Sequence, residues 1–263
     1  MSLRSRLSRL TTVPVTGAEG VRLFFDRFAL HYSEQHGSPR RLLKARLDLI
    51  RKWAEPGGKD VVLDMGCGNG HHLMALGHQI GRGIGIDISP GMIEAARERV
   101  KKGGRNGNLT FRTDDARVLS TVRKESVDVV MCIGSLEHMI DPDAVLRHAH
   151  RVLKSGGRFI CLTPNGNYLW YRRIAPWLEL DARHLSTDRF LTEGELRRLL
   201  TGAGFGSIET GRWDFVPRGD VHPAVGSVLT FLGRAGRLLG IKDFQGGLLA
   251  CAVKDRKSPA LSS

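Results

Sequence analysis

The sequence predicts an α/β protein: a doubly wound, mostly parallel sheet of seven strands with helices on both faces. Three observations carry this. Short apolar runs alternate with amphipathic stretches from residue 61 onward, a glycine-rich turn follows the first run, and Asp87 closes the second run 21 residues after Gly66. A run such as Val61-Val62-Leu63 suits a strand covered on both faces, and its alternation with helical stretches is the rhythm of βαβ units.

Two helical segments are expected before the sheet, in a cap spanning residues 1–55. Phe24 to Tyr32 shows a weak helical pattern in which Phe24 and Phe28 pack at i, i+4. Ser38-Pro39 is a helix start, with the hydroxyl as N-cap and the ring at the first helical position. Helix 39–54 then places Leu43, Leu47 and Ile50 on one stripe before Pro56-Gly57-Gly58 breaks it.

From there the predicted order is strand 61–65, helix 70–79, strand 83–88, a helix from Pro90 capped by Ser89, and a strand near 109–112. Next come strand 127–133, helix 142–153, a stop at Lys154-Ser155-Gly156-Gly157, and strand 158–163. Thr192 to Ala203 is a helix with Thr192 and Glu195 as a capping box, and Gly204 ends it. Ile208 to Phe215 and Leu248 to Val253 are the last strands. The domain therefore runs over 56–263, with insertions expected at 166–190 and 215–247.

At 263 residues and 41% hydrophobic, the chain can bury a full core. It holds no apolar run of about 18 residues, so no membrane span is expected. Cys67, Cys132, Cys161 and Cys251 lie far apart without zinc-ligand spacing, and read as reduced thiols of a cytoplasmic protein. Of the net charge of +13, residues 1–55 hold 11 basic and 5 acidic side chains. Leu3, Leu7 and Leu10 share one helical face with Arg4, Arg6 and Arg9 between them, and no signal-peptide core follows. Two readings fit this basic N-terminus: a solvated surface, or peripheral attraction to anionic lipid or nucleic acid.

The turn reads Asp64-Met65-Gly66-Cys67-Gly68-Asn69-Gly70. A dinucleotide fingerprint needs its third glycine at position 71, which is His71, so a nicotinamide cofactor is disfavoured. The run resembles the opening motif of class I S-adenosylmethionine-dependent methyltransferases. That resemblance continues through Gly85-Ile86-Asp87-Ile88-Ser89-Pro90-Gly91-Met92, Asp114-Asp115-Ala116, the strand Val127 to Ile133 with Gly134-Ser135-Leu136-Glu137-His138, and Thr163-Pro164-Asn165. It covers about residues 56–205 and is nearest to the ubiquinone and menaquinone biosynthesis methyltransferases.

The resemblance implies a Rossmann-like fold with S-adenosylmethionine as cofactor and S-adenosylhomocysteine as product. It assigns Asp64, Gly66, Gly68 and Gly70 to the turn beneath the cofactor. Asp87 would hold the ribose hydroxyls, Ile88 and Met92 would flank the adenine, and Asp115 with Ala116 would meet its edge. Ile133 would border the methionine moiety. His138, just beyond the fourth strand, is the first candidate for a base; the competing reading is a helix cap. His184 is the second candidate, with a structural hydrogen bond as its alternative. His71 and His72 read as cofactor-edge or surface residues.

Some relatives use a metal held by two acids and a histidine. Glu137 and His138 are present here, but Gly134 stands where the additional acid would be, so no metal is expected; Glu137 then compensates a helix dipole. Tyr168, Trp170, Tyr171 and Trp177 form the densest aromatic cluster, and the expectation is that Tyr168, Trp170 and Tyr171 roof an acceptor pocket that Tyr32 also faces. Ordinary lid packing is the alternative.

The expected activity is methylation of a small molecule, at oxygen, on a hydrophobic, quinone-like or lipid-like acceptor. Nucleic-acid modification is disfavoured because Gly134-Ser135-Leu136-Glu137 lacks the Asn/Asp-Pro-Pro-aromatic signature of exocyclic-amine enzymes. A cofactor-binding protein without catalysis is the third alternative. The oligomeric state is not readable from the sequence.

Overall fold

The computed structural model describes residues 12–29, 39–103, 107–180, 182–216 and 221–255. Its sheet has seven strands in the order β3-β2-β1-β4-β5-β7-β6. They are β1 at Val61–Met65, β2 at Arg82–Asp87, β3 at Leu109–Thr113, β4 at Val127–Ile133, β5 at Leu153–Pro164, β6 at Ile208–Trp213 and β7 at Gly247–Val253. Strands β1 to β5 pair in parallel, whereas β7 runs antiparallel between β5 and β6. The helices are α1 (Gly17–Phe28), α2 (Pro39–Trp53), α3 (His71–Leu76), α4 (Pro90–Gly103), α5 (Pro142–Val152), α6 (Glu193–Gly202) and α7 (Pro223–Leu238).

Strand alternation sorts the core into two layers. Leu63 and Met65 point to the α5 and α6 side, against Leu146, Ala149, Leu196 and Leu200. Val62 points to the other side, with Ile50, Leu73, Leu76 and Ile93. With a side-chain period of two, Asp64 shares the face of Val62 and is directed toward α2 and α3. This parity sets the chemistry described below.

Local signals in the sequence explain most boundaries. Thr192 and Glu195 cap α6 reciprocally, the Glu195 carboxylate accepting from Thr192 N at 2.8 Å. Asp141, one residue before Pro142, accepts from Ala144 N at 2.9 Å and starts α5. The rings of Phe24 and Phe28 meet at 4.8 Å. Helix α1, however, begins at Gly17, seven residues earlier than its aromatic pattern indicates.

Two further boundaries differ from expectation. Helix α3 ends at Leu76 rather than 79. Strand β5 starts at Leu153 and absorbs the expected stop at 154–157. There Gly156 takes φ +80°, Lys154 Nζ donates to both Asp128 oxygens at 2.8 Å, and the β4–β5 register shifts between Val127 and Val129. Inside the 215–247 insertion, a 16-residue helix, α7, packs on Tyr168 and Trp170.

The segment before α1 is stitched to the loop before α6. Val13 N donates to His184 O at 2.8 Å, and Ser186 N donates to Val13 O at 3.0 Å.

Candidate active site

A cavity of about 350 Å³ opens at the C-terminal ends of β1, β2 and β4. The strand order reverses there, between β1 and β4, which is where open α/β sheets bind ligands. The lining brings together Gly66, Gly68, Asp87, Ile88, Met92, Asp115, Ala116, Ile133 and His138, with His71 and His72 at one side. Gly70, Asp64, His184, Tyr168, Trp170 and Tyr171 are not among the lining residues, and Tyr32 lies outside the described residues.

The turn after β1 depends on glycine. Gly66 has φ +72° and a Cβ there would lie 2.6 Å from Ser135 Cβ. Gly70, at φ +80°, lets the start of α3 pack against Phe111, whose ring a Cβ would meet at 2.9 Å. These approaches close only without a side chain, so the turn hugs the sheet and exposes backbone to the cavity.

Asp87 is held by two backbone donors, Gly68 N and Ser89 N, both at 2.9 Å. Burial raises its pKa, and the two donors partly offset that rise. A carboxylate has about four lone-pair sites, so two backbone bonds leave acceptors facing the cavity for vicinal hydroxyls. Ile88, Met92 and Ala116 supply apolar walls beside it.

The adjacent acids Asp114 and Asp115 do different work. Asp114 is buried and accepts from the amides and hydroxyls of Ser120 and Thr121, which fixes the loop. Asp115 lies on the cavity wall and is bridged by Arg117, with Nη2 at 2.6 Å. Burial pushes the Asp115 carboxyl up, but the Arg117 hydrogen bonds and charge outweigh it and hold it below the usual range. A nucleobase amino group at this wall would share the carboxylate with Arg117.

Asp64 is 1% exposed, and neither carboxylate oxygen has a hydrogen-bond partner among the described residues. Burial and the nearby Asp87 charge push its pKa up to about 7, although Arg46 acts in the opposite direction. His72 Nδ1 is 3.8 Å away. Burial and the charges of Arg46 and His71 lower the His72 pKa to about 3, so its ring is neutral and is no counter-charge. An orphaned buried carboxylate is costly, and an ammonium group would satisfy it. Asn69 Nδ2, also buried without a partner, is a spare donor on the same turn. Arg46 reaches the end of β4 because Gly134 has no side chain: a Cβ there would lie 2.5 Å from Arg46 Nη2. Hydroxyl acceptors, apolar walls, an orphaned carboxylate and a guanidinium together fit a nucleoside carrying an amino acid.

Opposite the turn stands His138, whose Nδ1 is 2.7 Å from Asp188 Oδ1. Asp188 is 3% exposed, and its other oxygen accepts from His184 N and Leu185 N at 3.0 Å. An ionised carboxylate only accepts, so Nδ1 carries the hydrogen and Nε2 is left with its lone pair. Burial lowers the His138 pKa, but the Asp188 bond and the charges of Asp188, Glu137 and Asp87 outweigh it and raise the pKa overall. Phe25 of α1 packs on the His138 ring with centroids 5.2 Å apart. His184 acts here through its backbone, with its ring 6.1 Å behind that of His138. Glu137 is buried, turned toward β5, and accepts from Thr163 Oγ1 at 3.0 Å.

The aromatic cluster does not form the expected roof. Tyr168 and Trp170, each 2% exposed, pack with Ala175, Leu180, Val221 and Leu229 in a satellite core under α7. Tyr171 leans on this core and stacks near Phe190, so these aromatics obey packing. Sequence reasoning missed Asp188, Arg46 and the Arg117 bridge. Asp188 carries only a local cue, an acid three and four residues after the amides it accepts from.

Known proteins resemble this chain in sequence and in fold. A family model described as "Methyltransferase domain" matches residues 57–203. A ubiquinone biosynthesis O-methyltransferase of Ruegeria pomeroyi is 30% identical over 215 residues, covering 73% of this chain and 84% of the relative. A demethylmenaquinone methyltransferase of Geobacillus kaustophilus is 28% identical over 225 residues, covering 75% and 93%. Among solved structures, Haemonchus contortus phosphoethanolamine N-methyltransferase 2 with S-adenosyl-L-methionine superposes with a TM-score of 0.65 at 18% identity, over 91% of this chain and 61% of that one. The [4+2]-cyclase SpnF superposes at 0.69 and 19% identity, over 95% and 100%. At such identities the structures speak for the fold alone, and the cyclase shows that this fold serves more than one reaction. With the sequence matches added to the fold, the chain belongs to the methyltransferase domain family as a class I S-adenosylmethionine-dependent methyltransferase similar to quinone-biosynthesis enzymes.

Proposed function

We propose that the enzyme methylates a hydroxyl oxygen of a small, largely apolar acceptor of the phenolic or quinone-precursor kind. The observation that supports this reading is His138 on the cavity wall, backed by the buried Asp188. S-adenosylmethionine, when bound, supplies an electrophilic methyl group, so the protein's task is alignment, exclusion of water and removal of one proton. Asp188 fixes the imidazole tautomer, and Nε2 of His138 takes the hydroxyl proton as the oxygen attacks. A thioether or an already neutral amine would not need that base.

Val21, Phe25, Leu42, Leu43, Met139 and Ile140 give the remaining lining an apolar character suited to an aromatic or prenylated ring. The relative named for ubiquinone O-methylation supports the same class. In this reading Asp87 holds the ribose, Ile88, Met92 and Ala116 flank the adenine, Asp115 meets its amino group, and Asp64 receives the methionine ammonium. Helix α1 serves as a cap. Asp26 ties it to the turn before α4, accepting from Ser89 Oγ at 2.5 Å and Gly91 N at 3.0 Å.

The test pairs labelled S-adenosylmethionine with an alkylated catechol and with its matching aniline. Transfer to the catechol, reduced roughly 10²- to 10⁴-fold in His138→Asn, supports the proposal. Transfer to the aniline alone, or a His138→Asn variant as fast as the parent on the catechol, refutes it.

A further inference from the structure

The chain reaches His138 from two directions, and one short clip joins them. On one side, Ala18, Val21 and Phe25 of α1 line the cavity, with the Phe25 ring 5.2 Å from that of His138. Asp26 anchors the same helix to Ser89 and Gly91, just after Asp87. On the other side, the loop 183–188 holds Asp188 behind the imidazole. His184 N and Leu185 N donate to Asp188 Oδ2, while Oδ1 faces His138 Nδ1. No residue of this loop lines the cavity.

The clip is the segment just before α1, where Val13 forms a parallel bridge with Leu185. Its hydrogen bonds use peptide units that also hold Asp188. The 184–185 peptide accepts from Val13 N through His184 O and donates to Asp188 Oδ2 through Leu185 N. The 185–186 peptide donates to Val13 O through Ser186 N and accepts from Asp188 N through Leu185 O. A peptide unit is planar and turns as one body, so a movement of Val13 is passed to Asp188 through two consecutive planes. Ser186 adds a side-chain link, its hydroxyl accepting from Val15 N at 3.0 Å and donating to Val15 O at 3.3 Å. Thr12 Oγ1 donates to Arg183 O at 2.9 Å. Gly17, at φ +60°, then turns the chain into α1.

We infer that Ser186 is a positioning residue: it clips the segment that leads into the α1 cap to the loop that aims Asp188 at His138, so that filling the cofactor site under α1 also orients the base. A contiguous hydrogen-bonded route of this kind is what lets one site bias another. The inference rests on the reading of His138 as the base.

Hydrogen exchange of the full chain, with and without saturating S-adenosylhomocysteine, tests it in the parent, Ser186→Ala and Ser186→Thr. In the parent the product should slow exchange of the His184 and Leu185 amides at least about tenfold, although neither residue lines the cavity. Ser186→Ala should lose most of that protection while the Gly68 and Ser89 amides keep theirs, which also shows that it folds and binds. Its kcat with the catechol acceptor should fall roughly tenfold at an unchanged KM for S-adenosylmethionine, and Ser186→Thr, which keeps the hydroxyl, should restore both readouts. Should Ser186→Ala not fold, Thr12→Val cuts the same clip from its other strand and is expected to act in the same direction. Loop amides that ignore the product in a parent that binds it, or protection and kcat as in the parent in the clip variants, would overturn this inference alone. A His138→Asn variant as fast as the parent would remove the base itself, and the inference with it.

Discussion

His138 and Asp188 define the reacting side of the cavity, and their coupling has a measurable signature. The His138 pKa is raised, chiefly because Asp188 outweighs burial. A base acts when deprotonated, so the rate with a hydroxyl acceptor should climb as pH rises through this pKa. Asp188→Asn removes the charge that raises it. The acidic limb should then move to lower pH while the plateau falls roughly 10- to 100-fold; a lower plateau with an unmoved limb would reduce Asp188 to a structural role. Asp64 gives a second residue-level prediction. Its carboxyl is raised to about 7, so near neutrality it is partly protonated in the free protein. An ammonium placed beside it drives the proton off. Binding of S-adenosylhomocysteine at pH 7 should therefore release protons, seen as a binding enthalpy that varies with the buffer's ionisation heat, and Asp64→Asn should abolish that dependence.

At the scale of elements, the site rests on two tight connections. The turn after β1 needs Gly66, whose φ of +72° and 2.6 Å approach to Ser135 exclude a side chain. Gly66→Ala should cost about 1–3 kcal/mol of stability in denaturant unfolding and weaken cofactor binding. The second connection is Asp26, which ties α1 to the start of α4. Asp26→Ala should speed release of S-adenosylhomocysteine in stopped flow without shifting the unfolding midpoint much, because α1 stands outside the two main core layers.

Legibility followed the same division between local and distant causes. The glycine turn, the acid ending β2 and the capping box of α6 were readable because each is a local pattern with a single conformational solution. The β5 start was not, because its irregular first turn is held by Asp128 of β4 and by Lys254 just past β7. The aromatics at 168–171 have no period that separates a pocket roof from a satellite core, and α7 decides it. Asp188 was invisible for a related reason: its partner is 50 residues away in sequence.

Over the whole molecule, the buried acid at the end of β1 sets a stability cost that the ligand relieves. The sign follows from proton binding. The folded Asp64 pKa, about 7, lies above the model-peptide value near 3.8, so the folded state holds the extra proton between them and stability falls as pH rises through that window. The ligand-free Asp64→Asn variant should therefore melt several degrees higher than the parent at pH 8, with the gap closing as pH falls toward 4. The four buried cysteines are free thiols, so this comparison needs no redox control beyond ordinary reductant.

One cavity, its acids placed by strand parity and turn geometry, is built to receive a nucleoside carrying an amino acid. Calorimetric titration of S-adenosylhomocysteine into the full chain, with Asp87→Ala alongside, tests it most directly, since the product needs no acceptor to bind. One site is expected, with affinity on the order of micromolar, lost in a variant that still unfolds cooperatively. A folded parent that binds no product, or an Asp87→Ala variant that binds as tightly as the parent, would contradict it.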